Sequence, residues 1–325
     1  MKHKTDSLPF ASAPHSSLSH GAGQAMRIPG NHPLKTLLRA TGLALLVSAV
    51  PATAASLMLD FGAPTTNAVV AAPYLTLSPG HDAGAIPGTE TAWNTITTSA
   101  NRSDLVYADG STATGITMDL GQESTGGSGT IDFNTNVTNL ALAGSGGSVA
   151  GQQKLLGTGS IYGDDTSSTA AGRDGFFGGG TATSTGTAIG IRLDSLAAGD
   201  YVAYVMARNT NTNAVGSCPM NLYSGVSASA SSFPFSLLSA ETQANTAYPS
   251  ATYAGQYNTF TEGENFQAIA FTIAEGQSFF LASDGGSEAV ERRGFLNLGQ
   301  VVSVPEPSVA LLGLLGVLVL FRRRV

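Results

Sequence analysis

Thiol chemistry is nearly absent from this sequence. Cys218 is the one cysteine in 325 residues, so no intramolecular disulfide can close and thiol-rich zinc patterns are excluded. It reads as a small, partly buried apolar residue, pairing between chains being the other use of a lone thiol in an oxidising compartment. Histidine is almost as scarce, because past residue 55 only His81 remains. That removes H-E-x-x-H zinc sites and two-histidine metal sites. A Ser-His-Asp arrangement would have to use His81, and the sequence has no G-x-S-x-G elbow. Cys218 with His81 is the one Cys-His combination. His81 itself reads as a surface residue of the Pro79-Gly80-His81-Asp82 turn. Phosphate loops are missing too: Gly157-x-Gly159-x-x-x-Gly163 has the wrong spacing for a nucleotide fingerprint, and no helical pattern follows it.

Charge is thin, at 11% of residues, and one-sided. Between Ala55 and Val304 stand 7 Lys and Arg against 20 Asp and Glu, a net of −13. Such a field repels nucleic-acid phosphates and anionic membrane surfaces and favours solubility outside a cell. No nucleic-acid partner is expected.

What is abundant is glycine, with 40 residues, beside long stretches of Thr, Ser, Ala and Asn. At 42% hydrophobic residues the chain can still bury a core. From Ser56 onward, short apolar or β-branched runs alternate with Gly, Asn, Asp and Ser clusters, and helical periodicity is missing. That spacing predicts an all-β fold, a β-sandwich or jelly roll, over residues 56–303. Residues 57–61 are the expected first strand. Leu105-Val106-Tyr107 runs into an Asp109-Gly110 turn, and Ile116, Met118 and Leu120 share one face of the next strand. Ile189, Ile191 and Leu193 alternate before a turn at residues 197–200, after which Tyr201, Ala203, Val205 and Ala207 alternate again, the pattern of a hairpin. Residues 268–273, a turn at Glu275-Gly276 and Phe279-Phe280-Leu281 form a second such pair, and 295–302 supplies a closing strand. The glycine-rich stretches 121–130, 141–151 and 181–187 are expected loops. No repeat at solenoid periods occurs.

The two ends of the sequence read as addresses. Leu43 to Val50 is a short apolar run preceded by Lys35 and Arg39 and followed by small residues. This is the basic n-region, h-region and A-x-A site of a signal peptide over residues 26–55. Ala52 and Ala54 fit the peptidase pocket, and cleavage is expected after Ala54 or Ala55, which implies the Sec translocon and signal peptidase as partners. Residues 1–25, rich in Ser, His and Pro, read as a disordered extension. They lie either upstream of a true start at Met26 or within an over-long n-region. At the other end, Val304-Pro305-Glu306-Pro307 precedes an apolar run, 308–321, closed by Arg322, Arg323 and Arg324. By length such a run is more often a core helix. Its position, its lack of polar residues after Ser308 and the closing arginines predict instead a transmembrane helix with the arginines on the cytoplasmic side. The prolines block helix propagation upstream.

Pro305-Glu306-Pro307, an apolar helix and an arginine cluster, in that order over residues 304–325, resemble the PEP-CTERM sorting tail. The resemblance implies recognition by an exosortase, a membrane transpeptidase-like protease. It also implies an inner-membrane intermediate held by the C-terminal helix. The destination it implies is the cell surface or extracellular matrix of a Gram-negative-type bacterium that makes exopolysaccharide. The run is short for the family, which points to processing rather than permanent anchoring. A second likeness lies inside the domain. The sequence L-x-A-G-x-Y-x-x-Y-V at Leu196–Val205, with Gly294-Phe295-Leu296-Asn297, is similar to jelly rolls of the carbohydrate-binding-module type.

Site chemistry within the domain is sparse. Asp164, Asp165 and Asp174 flank a polar, glycine-rich loop and are the candidate calcium ligands, although EF-hand and RTX-type patterns are absent. Asp164-Asp165, Glu262 with Glu264 and Glu288 with Glu291 are carboxylate pairs by residue type, in turn-like contexts where acids are ordinary. Trp93 and Tyr74, Tyr107, Tyr162, Tyr223, Tyr248, Tyr253 and Tyr257 could stack on sugars, but core packing is the expected use of most. The expectation is a non-enzymatic surface or matrix protein associated with exopolysaccharide and requiring no cofactor. The alternatives are a secreted glycan-active enzyme and a carbohydrate-binding module.

Overall fold

The computed structural model describes residues 55–62, 92–97, 100–134, 137, 139–141, 175–179, 186–208, 219–245, 260–285 and 292–304. Their regular elements are all strands. The first eight along the chain are β1 (Ser56–Phe61), β2 (Asn94–Ile96), β3 (Thr117–Glu123), β4 (Thr130–Asp132), β5 (Asn139–Ala141), β6 (Gly175–Phe177), β7 (Ile189–Asp194) and β8 (Gly199–Met206). The remainder are β9 (Met220–Ala228), β10 (Ser232–Pro234), β11 (Ala240–Gln243), β12 (Gln267–Ile273), β13 (Gln277–Asp284), β14 (Phe295–Leu296) and β15 (Leu298–Val304). The expected all-β class holds. The expected signal peptide, apart from Ala55, and the segment 308–321 lie outside the described residues, among which no helix is long and apolar enough to cross a membrane.

The strands form a five-stranded sheet in the order β12-β8-β15-β1-β2, a seven-stranded sheet in the order β10-β4-β3-β7-β13-β9-β11, and a small sheet β14-β6-β5. All pairs are antiparallel except β1 with β2. Period-two alternation explains why two sheets form. Leu57, Leu59 and Phe61 on β1, Ala203 and Val205 on β8 and Val301 on β15 point into one hydrophobic cluster. Met118 and Leu120 on β3, Ile189, Ile191 and Leu193 on β7, and Phe279 and Leu281 on β13 enter the same cluster from the seven-stranded sheet. Along β1, β7, β8 and β13 apolar residues recur at every second position of the core-facing side, so each sheet has one face that only another sheet can cover.

This shared core corrects the expected hairpins. Residues 189–194 and 199–206 are strands, as the alternation predicts, but they do not pair: β7 belongs to the seven-stranded sheet and β8 to the five-stranded one. The same holds for β12 and β13 across the turn at Glu275-Gly276. A short connection between two alternating strands is compatible with side-by-side pairing or with an arch that lays their apolar faces on each other. Here the arch is formed, because each strand finds longer ladders elsewhere, β8 with β12 and β15, and β13 with β7 and β9. Ser195, at a positive φ of 61°, makes the first corner.

The seven-stranded sheet also curls. In a flat sheet β10 would stand four strands from β13, about 19 Å away at the usual strand spacing. Instead Phe233 of β10 stacks on Phe280 of β13 with ring centroids 4.6 Å apart, and Phe235 meets Tyr223 of β9 at 4.9 Å. A second apolar cluster, which includes Ile131, Phe133, Phe233, Phe235 and Phe280, fills the space beneath. Gly121, paired with Gly190 across β3 and β7, makes this possible. A Cβ on Gly121 would stand 2.7 Å from the Asp132 carbonyl of the overlying β4. The expected loop at 121–130 is therefore corrected: residues 121–123 are strand, and the glycine marks a close backbone approach rather than a turn. The true connection, 124–129, is gathered by Glu123. Its buried carboxylate accepts the amides of Gly129 at 2.7 Å and Ala188 at 2.8 Å.

Candidate functional site

The residues at which the two expected address segments join the domain are neighbours. β1 and β15 pair antiparallel, Ser56 opposite Val302. The Ala55 amide donates to Ser303 Oγ at 2.8 Å, and the Ser303 amide returns a bond to the Ala55 carbonyl at 3.0 Å. Ala55, at the expected cleavage site, and Val304, first residue of the expected sorting motif, thus leave the same pole, and Val304 is 44% exposed. Ala52, Ala54, Pro305, Glu306, Pro307, Arg322, Arg323 and Arg324 lie outside the described residues.

Strand directions divide the domain into this near pole and a far one. β1 runs from near to far, β15 returns, and β8, antiparallel to β15, runs outward again. The arches at 195–198 and 274–276 both lie at the near pole, since each joins a strand running inward to one running outward. The segments 209–218, 246–259 and 286–291 all depart from strand ends at the far pole.

The far pole holds a buried amide network. Gln243 accepts the Ala207 amide on Oε1 at 3.2 Å and donates from Nε2 to the Ala207 carbonyl at 3.0 Å and to Asn245 Oδ1 at 2.7 Å. Asn245, in the left-handed region at φ 45°, donates to the same carbonyl at 2.9 Å. The Arg208 amide donates to Asn297 Oδ1 at 2.7 Å, and the Thr261 amide to Asn265 Oδ1 at 2.9 Å. All four amide side chains and Arg208 are buried. Where β8 leaves its ladder, Gln243, Asn245 and Asn297 take the place of a neighbouring strand for the backbone of Ala207 and Arg208.

An ionic cluster sits on the outer face of the seven-stranded sheet. Asp119 of β3 lies directly opposite Arg192 of β7. Arg192 Nε donates to Asp194 Oδ2 at 2.9 Å, its Nη2 reaches Asp119 Oδ2 at 3.4 Å and its Nη1 donates to the Ala230 carbonyl at 2.6 Å. The guanidinium lies over the Phe133 ring, 5.2 Å from its centroid. Arg192 thereby clamps the curled-over part of the sheet onto β7. The two acids respond in opposite directions. Burial pushes Asp119 above its ordinary value, because Arg192 at the longer distance offsets only part of the desolvation. Burial also acts upward on Asp194, but hydrogen bonds from Ser278 and Ser229 together with Arg192 outweigh it, so Asp194 is lowered. Sequence reading missed this cluster. Its signal was the polar member of each alternating strand, Asp119 between Met118 and Leu120 and Arg192 between Ile191 and Leu193, and only the register joins them.

The other sequence candidates divide. Trp93 is 1% exposed, which gives it to the core and removes it as an open platform for sugar. Tyr107 packs partly buried against the main core and Tyr223 against the second cluster. Glu262 and Glu264 share the turn before β12, where Gly263 takes a φ of 79°. Asp164, Asp165, Asp174, His81, Cys218, Glu288, Glu291, Tyr74, Tyr162, Tyr248, Tyr253 and Tyr257 lie outside the described residues. Among the described residues no group of three or more His, Cys, Asp or Glu side chains could hold a metal. No family model matches the chain, and no curated protein matches it.

Proposed function

We propose that this chain is an exported, non-enzymatic surface or matrix protein whose β-sandwich domain, of jelly-roll type, is sorted through its C-terminal PEP motif by an exosortase. The observation that carries this reading is the pairing of Ala55 with Ser303, next to Val304. Ala55 and Val304, where the expected signal peptide and sorting tail join the domain, lie side by side at one pole, so both addresses can be handled from one end of the core. The common hydrophobic cluster drawn from both sheets supports the sandwich. Under this reading the Sec translocon and signal peptidase export the chain, the apolar run with Arg322, Arg323 and Arg324 arrests it in the inner membrane, and an exosortase acts at Pro305-Glu306-Pro307. Association with exopolysaccharide follows export. Fractionation of cells expressing the triple substitution Pro305→Ala, Glu306→Ala, Pro307→Ala tests the proposal. The variant is expected to accumulate in the inner membrane; if it reaches the surface as wild type does, the sorting assignment fails.

A further inference from the structure

We propose that the five-stranded sheet is a tension element, arranged so that a pull on the C-terminal tail is resisted in shear. The inference deepens the reading above, in which the C-terminal helix holds the chain as an inner-membrane intermediate before the exosortase acts. A chain retained by its tail and engaged elsewhere is pulled through Val304, the last residue of β15. β15 is an inner strand of its sheet, with β8 on one side and β1 on the other. Against β8 it is paired along its whole length, from Leu298 opposite Met206 to Val304 opposite Asp200, and against β1 from Leu298 to Val302. Hydrogen bonds of an antiparallel ladder run perpendicular to the strands. A pull along β15 toward the near pole therefore strains both ladders at once, and no bond can fail before its neighbours share the strain. β12 extends the same geometry, since it pairs with β8 from Gln267 opposite Val205 to Ile273 opposite Gly199 and begins at the far pole. The path from the far pole through β12, β8 and β15 to the tail lies within one sheet and in shear throughout.

A pull between the two chain ends meets the opposite geometry. Ala55 and Val304 leave the same pole, so separating them opens β1 from β15 one bond at a time, beginning at the Ala55–Ser303 pair. The fold thus resists force in the direction a tail-held protein would experience it and yields to force between its ends.

Single-molecule force spectroscopy on the full chain tests this, with Cys218→Ser keeping the attachment chemistry unique. One molecule is held at residue 1 and after Val325, a second at Glu262→Cys and after Val325, and a third at Thr125→Cys and after Val325. Glu262 and Thr125 are exposed and lie at the far pole. Forced unfolding reports the unfolding rate under load, and at one loading rate the two far-pole geometries are expected to rupture at several-fold higher force than the end-to-end geometry. Equal or lower force in either far-pole geometry overturns the proposal. The readout uses purified protein, so it stands or falls separately from the fractionation of the Pro305–Pro307 variant.

Discussion

The two poles of the domain solve the same problem by different means. At the near pole the strands are joined by the arches 195–198 and 274–276, and the second closes on itself in contact with solvent: the Gln277 amide bonds the Ala274 carbonyl at 3.1 Å, and Gln277 Oε1 accepts the Ala274 amide at 2.8 Å in an exposed bond. At the far pole, where strands run into the segments 209–218, 246–259 and 286–291, side-chain amides of Gln243, Asn245, Asn265 and Asn297 complete the backbone instead. The difference teaches where the fold is vulnerable. A turn that bonds within itself tolerates a change of side chain, whereas a backbone completed by buried amides loses its partner with a single substitution.

The sharpest break is expected at the far pole from Gly294→Ala. The Gly294 amide bonds the Thr187 carbonyl and its own carbonyl accepts from Gly178, so three stretches of backbone cross there. A Cβ on Gly294 would overlap the carbonyl of Ser283, which is backbone and cannot rotate away. Overpacking of this kind costs about 3 kcal/mol, and chemical denaturation should show the midpoint falling by a corresponding amount. Next comes Gln243→Ala, which strips partners from both the Ala207 amide and carbonyl and from Asn245 Oδ1. A loss of about 2 kcal/mol is expected, with an unchanged denaturant slope; a smaller loss than that of a near-pole substitution would erase the contrast between the poles.

The ionic cluster, toward the near-pole ends of β3 and β7, gives a pair of variants with opposite signs. Asp194 is lowered in the folded protein, so its contribution is present above the ordinary aspartate value and is lost as pH falls through the lowered one. Asp194→Asn should cost about 1.5 kcal/mol at neutral pH, and the gap from wild type should close in acid. Asp119 is raised by burial, so its ionised form is the disfavoured one in the folded state above that raised value. Asp119→Asn should leave neutral-pH stability unchanged or improved, with any gain vanishing as pH falls. Denaturation curves at neutral pH and below pH 4 check both, and a comparable loss in the two variants would refute the assignment. The smallest effect is expected at the near pole. Ser195 holds φ 61°, a conformation glycine adopts without strain, and Ser195→Gly should change stability by no more than about 0.5 kcal/mol.

Much of the fold was legible because period two is written in single residues. Leu57, Leu59 and Phe61, or Ile189, Ile191 and Leu193, declare strands with one apolar face, and both sets enter the core as the alternation requires. What each strand pairs with was not legible. The sequence 189–206 contains nothing that distinguishes a hairpin from an arch, and the choice depends on ladders formed with residues as distant as Val304. Glycine was ambiguous in the same way. Gly121 looks like loop composition and is a site of close approach, a property of β4 lying over it rather than of its own neighbours.

By itself, then, the sequence determined the class of structure and the positions of the principal strands, because each depends on the chemistry of adjacent residues. Tertiary structure alone decided that Ala55 and Ser303 meet, that Asp119 lies against Arg192, and that Gln243 completes the backbone of Ala207. Each of these joins residues far apart in the chain, and a hydrogen bond or ion pair senses distance in space, which only strand order and register fix.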